Sequence, residues 1–236
     1  MKYAYVNGIT NDDFLVGVLL MFVSLKQNSK LYQAHSVDLC CFVTENVSEN
    51  AKKKLTANGI SIFVPQDDLC TGEGRWSTTF TKLCIFCLTK YDKIVWIDAD
   101  MLVLNSLDDL FQKPHMSCVR SRAKMFSKDF YAFNSGLMVI EPNVEDYRGA
   151  CAQINSVVEN YQKKNMPVGD QNVLNEYFID WHLSEEKHLE DGYNVFWGSI
   201  EQYIDNDFSY IYRRIQFMWF ISPVRISHGK KQIIFG

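Results

Sequence analysis

Three absences narrow the reading of this 236-residue chain. No run approaches the ~18 consecutive apolar residues of a membrane span, so none is expected. There is no basic excess: Lys and Arg number 24 against 28 Asp and Glu, a net charge of −4 that gives no electrostatic footprint for nucleic acid. There is no paired cysteine pattern either. Seven cysteines, an odd number scattered through apolar segments, point to a reducing compartment and a cytoplasmic protein rather than a disulfide scaffold. Cys84-x-x-Cys87 has no second pair and reads as small buried hydrophobes. Repeats, low-complexity tracts and linkers are also missing, so residues 1–236 are read as one domain. A signal peptide is not expected, because Asn11, Asp12 and Asp13 interrupt the N-terminal segment.

What is present is apolar and aromatic. Hydrophobic residues make up 47% of the chain and aromatics 14%, enough to fill a sizeable core. Strand and helix signals alternate. Tyr3 to Val6 reads as a strand, followed by a helix capped by Thr10 or Asn11 with Asp12 and Asp13 in its first turn. Val37 to Val43 is a second strand. A helix then runs from Ser48 to the C-cap Asn58-Gly59, and Ile60 to Val64 is a third strand. Gln66 to Trp76 reads as a loop. Phe80, Leu83, Cys84, Cys87, Leu88 and Tyr91 share one face of a predicted helix. A strand ending at Asp98, a short helix over Leu107 to Phe111 and a strand near Met116 to Arg120 follow. This βαβαβαβ order predicts an α/β fold with a mostly parallel, doubly wound sheet. Beyond it, Leu137 to Ile140 reads as a strand, and Glu145 to Lys164 and Asp170 to Tyr177 as helices.

The chemistry centres on Ile94-Val-Trp-Ile-Asp98-Ala-Asp100-Met-Leu-Val-Leu104, an apolar run broken by two carboxylates. Ile94 to Ile97 lack alternation, as a strand buried on both faces does. Ligands of open α/β sheets gather at the carboxyl ends of strands. Two acids there suit a hard divalent cation, Mg²⁺ or Mn²⁺, carrying a phosphorylated ligand. A helix-capping or turn pair is the plainer alternative.

Other clusters matter only if they converge on that pair. Val6-Asn7-Gly8-Ile9-Thr10-Asn11 offers backbone N–H groups at a helix N-terminus to a nucleotide, or is an ordinary βα turn. Lys82 lies off the apolar stripe of its helix, either solvated or reaching toward a phosphate or sugar hydroxyl. Phe133-Asn134-Ser135-Gly136 and Val168-Gly169-Asp170-Gln171-Asn172 carry hydrogen-bonding side chains beside a glycine, an inventory that suits a sugar or a turn. His228 could supply a nitrogen ligand to a cation at Asp98 and Asp100, with Lys230 or Lys231 beside a diphosphate, or be a core or surface histidine.

In this order and spacing the clusters resemble the glycogenin-like, family-eight retaining glycosyltransferases from Tyr3 to His228. Thr79-Phe-Thr-Lys82-Leu with Tyr91-Asp-Lys-Ile-Val-Trp-Ile-Asp98-Ala-Asp100 carries most of the likeness. The resemblance implies a single-domain GT-A nucleotide-diphospho-sugar fold with helices on both faces of the sheet. It also implies a Mn²⁺-dependent (or Mg²⁺-dependent) transferase of hexose, glucose or galactose, from a UDP-sugar. The acceptor would be a hydroxyl of a glycan, protein or small molecule, and a homodimer is compatible with it. Carried over by position, Asp98, Asp100 and His228 would bind the metal, and Thr10, Asn11 and Phe14 the uridine. Lys82, Asn134, Ser135, Asp170 and Gln171 would surround the donor sugar, and Lys230 or Lys231 would meet the diphosphate. Of these, Asp170, Gln171 and Lys82 are the catalytic candidates. Phe14 stands where the family often has Tyr, Pro167 where the glycogenin branch has an acid, and no Pro-Trp follows Lys231.

Retention allows two routes: a nucleophile at Asp170 or Gln171, or attack by the acceptor on the face that UDP leaves. The second is favoured, because an amide is a poor nucleophile. Two other functions compete. A sugar nucleotidyltransferase would need a glycine-rich basic loop after the first strand, which Asn7-Gly8-Ile9-Thr10 is not. A non-catalytic UDP-sugar-binding protein would bind without turnover. Tyr203, Tyr210 and Tyr212 lie where self-glycosylation could occur, although aromatic core packing explains them better.

Overall fold

The computed structural model describes residues 1–65, 77–121, 132–196 and 217–219. Its strands are β1 (Tyr3–Ile9), β2 (Asp38–Val43), β3 (Ser61–Phe63), β4 (Lys93–Ile97), β5 (Met101–Val103), β6 (Ser117–Arg120), β7 (Phe133–Ile140), β8 (His188–Leu189), β9 (Val195–Phe196) and β10 (Phe217–Trp219). Its α-helices are α1 (Leu15–Asn28), α2 (Lys30–Gln33), α3 (Glu49–Ala57), α4 (Val144–Lys163) and α5 (Asp170–Tyr177). The main sheet has the order β3-β2-β1-β4-β7-β6-β8, and β5, β10 and β9 form a small second sheet.

The expected α/β architecture is present with one change. β7 lies between β4 and β6 and runs antiparallel to both, whereas the other strands of the main sheet share one direction. The strand near Met116–Arg120 therefore does not extend a parallel sheet beside β4. β7 takes that place because it is the longer and more apolar strand, beginning at Phe133 rather than Leu137 and buried at seven of its eight residues.

Helices cover both faces. Tyr5, Val18, Phe22, Leu25, Leu55, Val95 and Ile97 belong to one core under α1 and α3. Phe80, Phe86, Trp96, Met138, Ile154 and Leu174 belong to the other, under α4 and α5. Local chemistry sets the helix starts. Asn11 accepts from the Asp13 N–H at 2.9 Å, so it is the cap, and a 3-10 turn over Asp12–Phe14 precedes α1. The Ser48 hydroxyl accepts from the Ala51 N–H at 3.1 Å, and Gly59 at φ +72° ends the α3 region as expected.

The predicted helix through Phe80 is instead a 3-10 stretch, Ser77–Cys87. Phe80, Leu83 and Phe86 recur every third residue and are all buried, which suits three residues per turn. Thr81, Lys82 and Ile85 are buried as well, so no solvated side remains for Lys82. Among the described residues, no helix is long and apolar enough to cross a membrane.

Candidate active site

Because β1, β2 and β4 are parallel, their carboxyl ends lie along one edge of the sheet. Antiparallel β7 brings its first residues, Phe133 to Gly136, to the same edge: Ile97 pairs with Leu137, and the Asp98 N–H donates to the Gly136 carbonyl at 2.9 Å. The N-terminus of α5 completes the rim, with the Asp170 N–H donating to the Thr79 hydroxyl at 3.0 Å. Sequence segments 82, 98, 135 and 170 therefore converge.

Lys82 holds them together. Its Nζ lies 2.9 Å from Asp98 Oδ1 and 2.8 Å from Asp170 Oδ2, and donates to the Ser135 carbonyl at 3.4 Å. The residue is only 8% exposed, so the alternative of a solvated lysine is set aside. Burial by itself would pull its pKa down, but the Asp170 and Asp98 carboxylates more than offset this and keep the ammonium charged. Asp98 behaves oppositely. Burial pushes its pKa up to about 7; Lys82 opposes that rise, while the charges of Asp100 and Asp170 add to it. Lys82 thus lies between two carboxylates, and a third, Asp100, acts on Asp98.

That surplus of negative charge fits a divalent cation. Asp98 and Asp100 supply hard oxygen donors at the mouth of β4, the ligand type that Mg²⁺ and Mn²⁺ take. No group of three His, Cys, Asp or Glu residues among the described residues would hold a metal by itself. Two carboxylates are the kind of donor set that a hard divalent cation shares with the phosphates of a ligand.

The turn Asp98-Ala99-Asp100 is clamped from both faces of the sheet. On one, buried Asn7 donates from Nδ2 to the Ile97 carbonyl. Gly17 of α1 lies so near that a Cβ there would sit 2.5 Å from the Ala99 oxygen. On the other, the Trp96 indole N–H donates to Asp98 Oδ1 at 2.7 Å.

Asp170 and Gln171 are both tied in place. Asp170, 6% exposed, accepts on Oδ2 from the Ser135 hydroxyl at 2.7 Å as well as from Lys82. Gln171 Oε1 accepts from the Ser135 N–H at 3.2 Å, and its Nε2 donates to Ser121 at 3.3 Å. Ser135 is buried and stands behind these two residues. Asn134 Oδ1 accepts from the Gly136 N–H at 2.7 Å and from Asn194 Nδ2 at 2.9 Å.

The proposed uridine residues sit at the start of α1, the helix that Gly17 presses against the Ala99 turn. The Thr10 carbonyl accepts from Thr44 at 2.7 Å, Asn11 caps the following turn, and the Phe14 ring is 49% exposed. His228, Lys230 and Lys231 lie outside the described residues, as do Tyr203, Tyr210 and Tyr212.

Sequence reasoning missed Thr79, Trp96 and Asn194. Trp96 had a readable signal: two residues before Asp98 on a strand, it shares that residue's face. Asn194 had none, being distant in sequence and next to a two-residue strand.

Comparison with known proteins gives a consistent result. Residues 8–213 match the family described as "Glycosyl transferase family 8". Glycogenin-1 of Oryctolagus cuniculus is 32% identical over 211 residues, covering 85% of this chain and 58% of that protein. The UDP-glucuronate:xylan alpha-glucuronosyltransferase 2 of Arabidopsis thaliana is 31% identical over 186 residues, covering 77% of this chain and 28% of that one. The chain thus spans less than two thirds of either relative. Among solved structures, the galactosyltransferase LgtC in complex with donor and acceptor sugar analogs is similar in fold, with TM-score 0.66 at 18% identity, covering 93% of this chain and 87% of that one.

Proposed function

The chain belongs to glycosyltransferase family 8, and from that membership we propose that it transfers a hexose from a UDP-sugar to a hydroxyl acceptor with retention of configuration. Residues 1–236 act in this reading as one transferase domain, with a cytoplasmic location drawn from the cysteine usage. The observation that carries it is the Lys82 bridge, which joins Asp98 at the end of β4 to Asp170 at the start of α5.

The geometry of the described residues supports the following roles. Phe14 offers an exposed ring against which a uracil stacks, at the helix end where Thr10 and Asn11 lie. Asp98 and Asp100 would hold a divalent cation, Mn²⁺ or Mg²⁺; by the resemblance alone, His228 would be a further ligand and Lys230 or Lys231 would meet the diphosphate. A divalent cation there supplies Lewis-acid stabilisation of the charge that grows on departing UDP. Lys82 keeps a fixed positive charge beside the reacting sugar at no cost of reorganisation. Asp170 and Gln171 are held by Ser135, Ser121 and Lys82, an arrangement that supports positioning roles rather than a nucleophile free to swing. Attack by the acceptor on the face UDP leaves is therefore the favoured route, through an oxocarbenium-like transition state.

Glucose and galactose are the proposed sugars, although the xylan-modifying relative is named for a glucuronate donor. The test is UDP release in Mn²⁺ with UDP-glucose, UDP-galactose and UDP-glucuronate, followed by intact-mass analysis of the protein. Release with one of the first two supports the proposal, and added hexose mass would identify the chain as its own acceptor. Nucleotide binding by calorimetry without turnover on any donor or acceptor would overturn it in favour of a binding protein.

A further inference from the structure

Lys82 and Trp96 both reach the half-buried carboxylate of Asp98 on the same oxygen. Lys82 Nζ lies 2.9 Å from Oδ1, and Trp96 Nε1 donates to Oδ1 at 2.7 Å. They are not equivalent. Lys82 divides its charge between Asp98 and Asp170 and also donates to the Ser135 carbonyl. An indole has one N–H, and in Trp96 it is given wholly to Asp98.

The indole is itself held. Its ring stacks on Phe42, with centroids 5.6 Å apart and planes at 18°, and Lys82 Nζ lies 5.3 Å from the ring centroid. Phe42 pairs in register with Gly8 on the neighbouring strand. A Cβ at Gly8 would lie 2.1 Å from the Phe42 ring, so only glycine leaves the ring where it stacks. A chain of contacts therefore crosses three adjacent strands, from Gly8 through Phe42 and Trp96 to Asp98.

We infer that Trp96 is a positioning residue, whose indole N–H fixes Asp98 Oδ1 and so turns Oδ2 toward the cation and the diphosphate. The inference rests on the metal-dependent UDP-sugar reading above and assigns a residue that reading does not use. With the N–H removed, Asp98 Oδ1 keeps only the Lys82 ammonium of these two donors, and Lys82 divides that charge with Asp170. Hydrogen-bond partners of metal ligands are worth about 10- to 100-fold in metal affinity. Trp96→Phe keeps an aromatic ring against Phe42 and beneath Lys82 and removes the donor.

The experiment is Mn²⁺ binding in the presence of UDP, read from the electron paramagnetic resonance signal of free Mn²⁺, for wild type, Trp96→Phe and Ile94→Val. Ile94 is buried in the same core as Trp96 and lies two residues before it on β4, so its trimming controls for lost packing. The expected result is Mn²⁺ binding weakened about tenfold or more in Trp96→Phe and unchanged in Ile94→Val. Equal affinity in wild type and Trp96→Phe overturns the inference alone. An equal loss in Ile94→Val also overturns it, because packing then explains the effect. A wild type that takes up no Mn²⁺ with UDP overturns the metal reading, and the inference with it.

Discussion

At the scale of single residues, Lys82 is the side chain on which most depends. It is buried between two carboxylates, and removal of one partner from such a group leaves uncompensated charge in a poor dielectric. Lys82→Met is expected to cost about 3 kcal/mol in chemical denaturation, and to abolish measurable transfer. A variant as stable as the wild type would show that the bridge is not what holds the site. Lysine at this position was legible only as an alternative, because a helical wheel placed it off the apolar stripe. The wheel failed since the segment winds with three residues per turn and is buried on every side. Asp98 and Asp100 stood out for a simpler reason: two acids interrupt an apolar run, although a turn pair was the plainer alternative and they do lie in the turn between β4 and β5.

At the scale of elements, α1 and the turn after β4 are set by a glycine. A side chain at Gly17 would meet the Ala99 carbonyl, which is backbone and has little room to yield. Gly17→Ala is expected to destabilise the protein by about 1–3 kcal/mol, the usual range for overpacking, and to raise the Mn²⁺ concentration needed for turnover by displacing Asp98 and Asp100. Metal titration of UDP release checks it.

A second junction lies at Asp108, which precedes β6. Its carboxylate accepts from the Ser29 and Tyr5 hydroxyls at 2.6 and 2.7 Å and from the N–H groups of Lys30 and Leu31 at 2.8 and 3.1 Å. Burial alone would raise its pKa, but these hydrogen bonds prevail and hold it below the ordinary value. A depressed folded-state pKa gives stability that is present above the unfolded value and lost as pH falls through the folded one. Denaturation midpoints of the wild type should therefore fall on acidification through that range. Asp108→Asn should be less stable near neutrality with a flatter acid dependence, and an unchanged acid slope would argue against the junction.

The starts of α3 and α5 were readable at this scale because caps and turn glycines act locally, whereas the Asn11 cap proved to start a 3-10 turn ahead of α1. β7 was not. Its apolar stretch was recognised from Leu137, but Asn134 and Ser135 concealed its beginning, since polar residues at a strand end look like a turn. Its insertion between β4 and β6 depends on packing across the whole sheet, which no local pattern encodes.

At the scale of the molecule, one sheet edge gathers groups from residues 7 to 194, and that convergence carries the functional reading. It also bears on the order of the carboxylates. Asp98 is half-buried, fixed by Lys82 and Trp96, whereas Asp100 is exposed at the mouth. Asp100, at the exposed mouth and outside the Lys82 bridge, is the more direct probe of the cation. The central claim is that a divalent cation held by these carboxylates drives transfer from a UDP-sugar. Its most direct test is UDP release by wild type and Asp100→Ala across a Mn²⁺ titration at saturating donor. The account expects turnover that requires Mn²⁺ in the wild type and falls at least a hundredfold in the variant, roughly the loss of 2.7 kcal/mol of transition-state stabilisation. Equal turnover and equal metal dependence in the two proteins would contradict it.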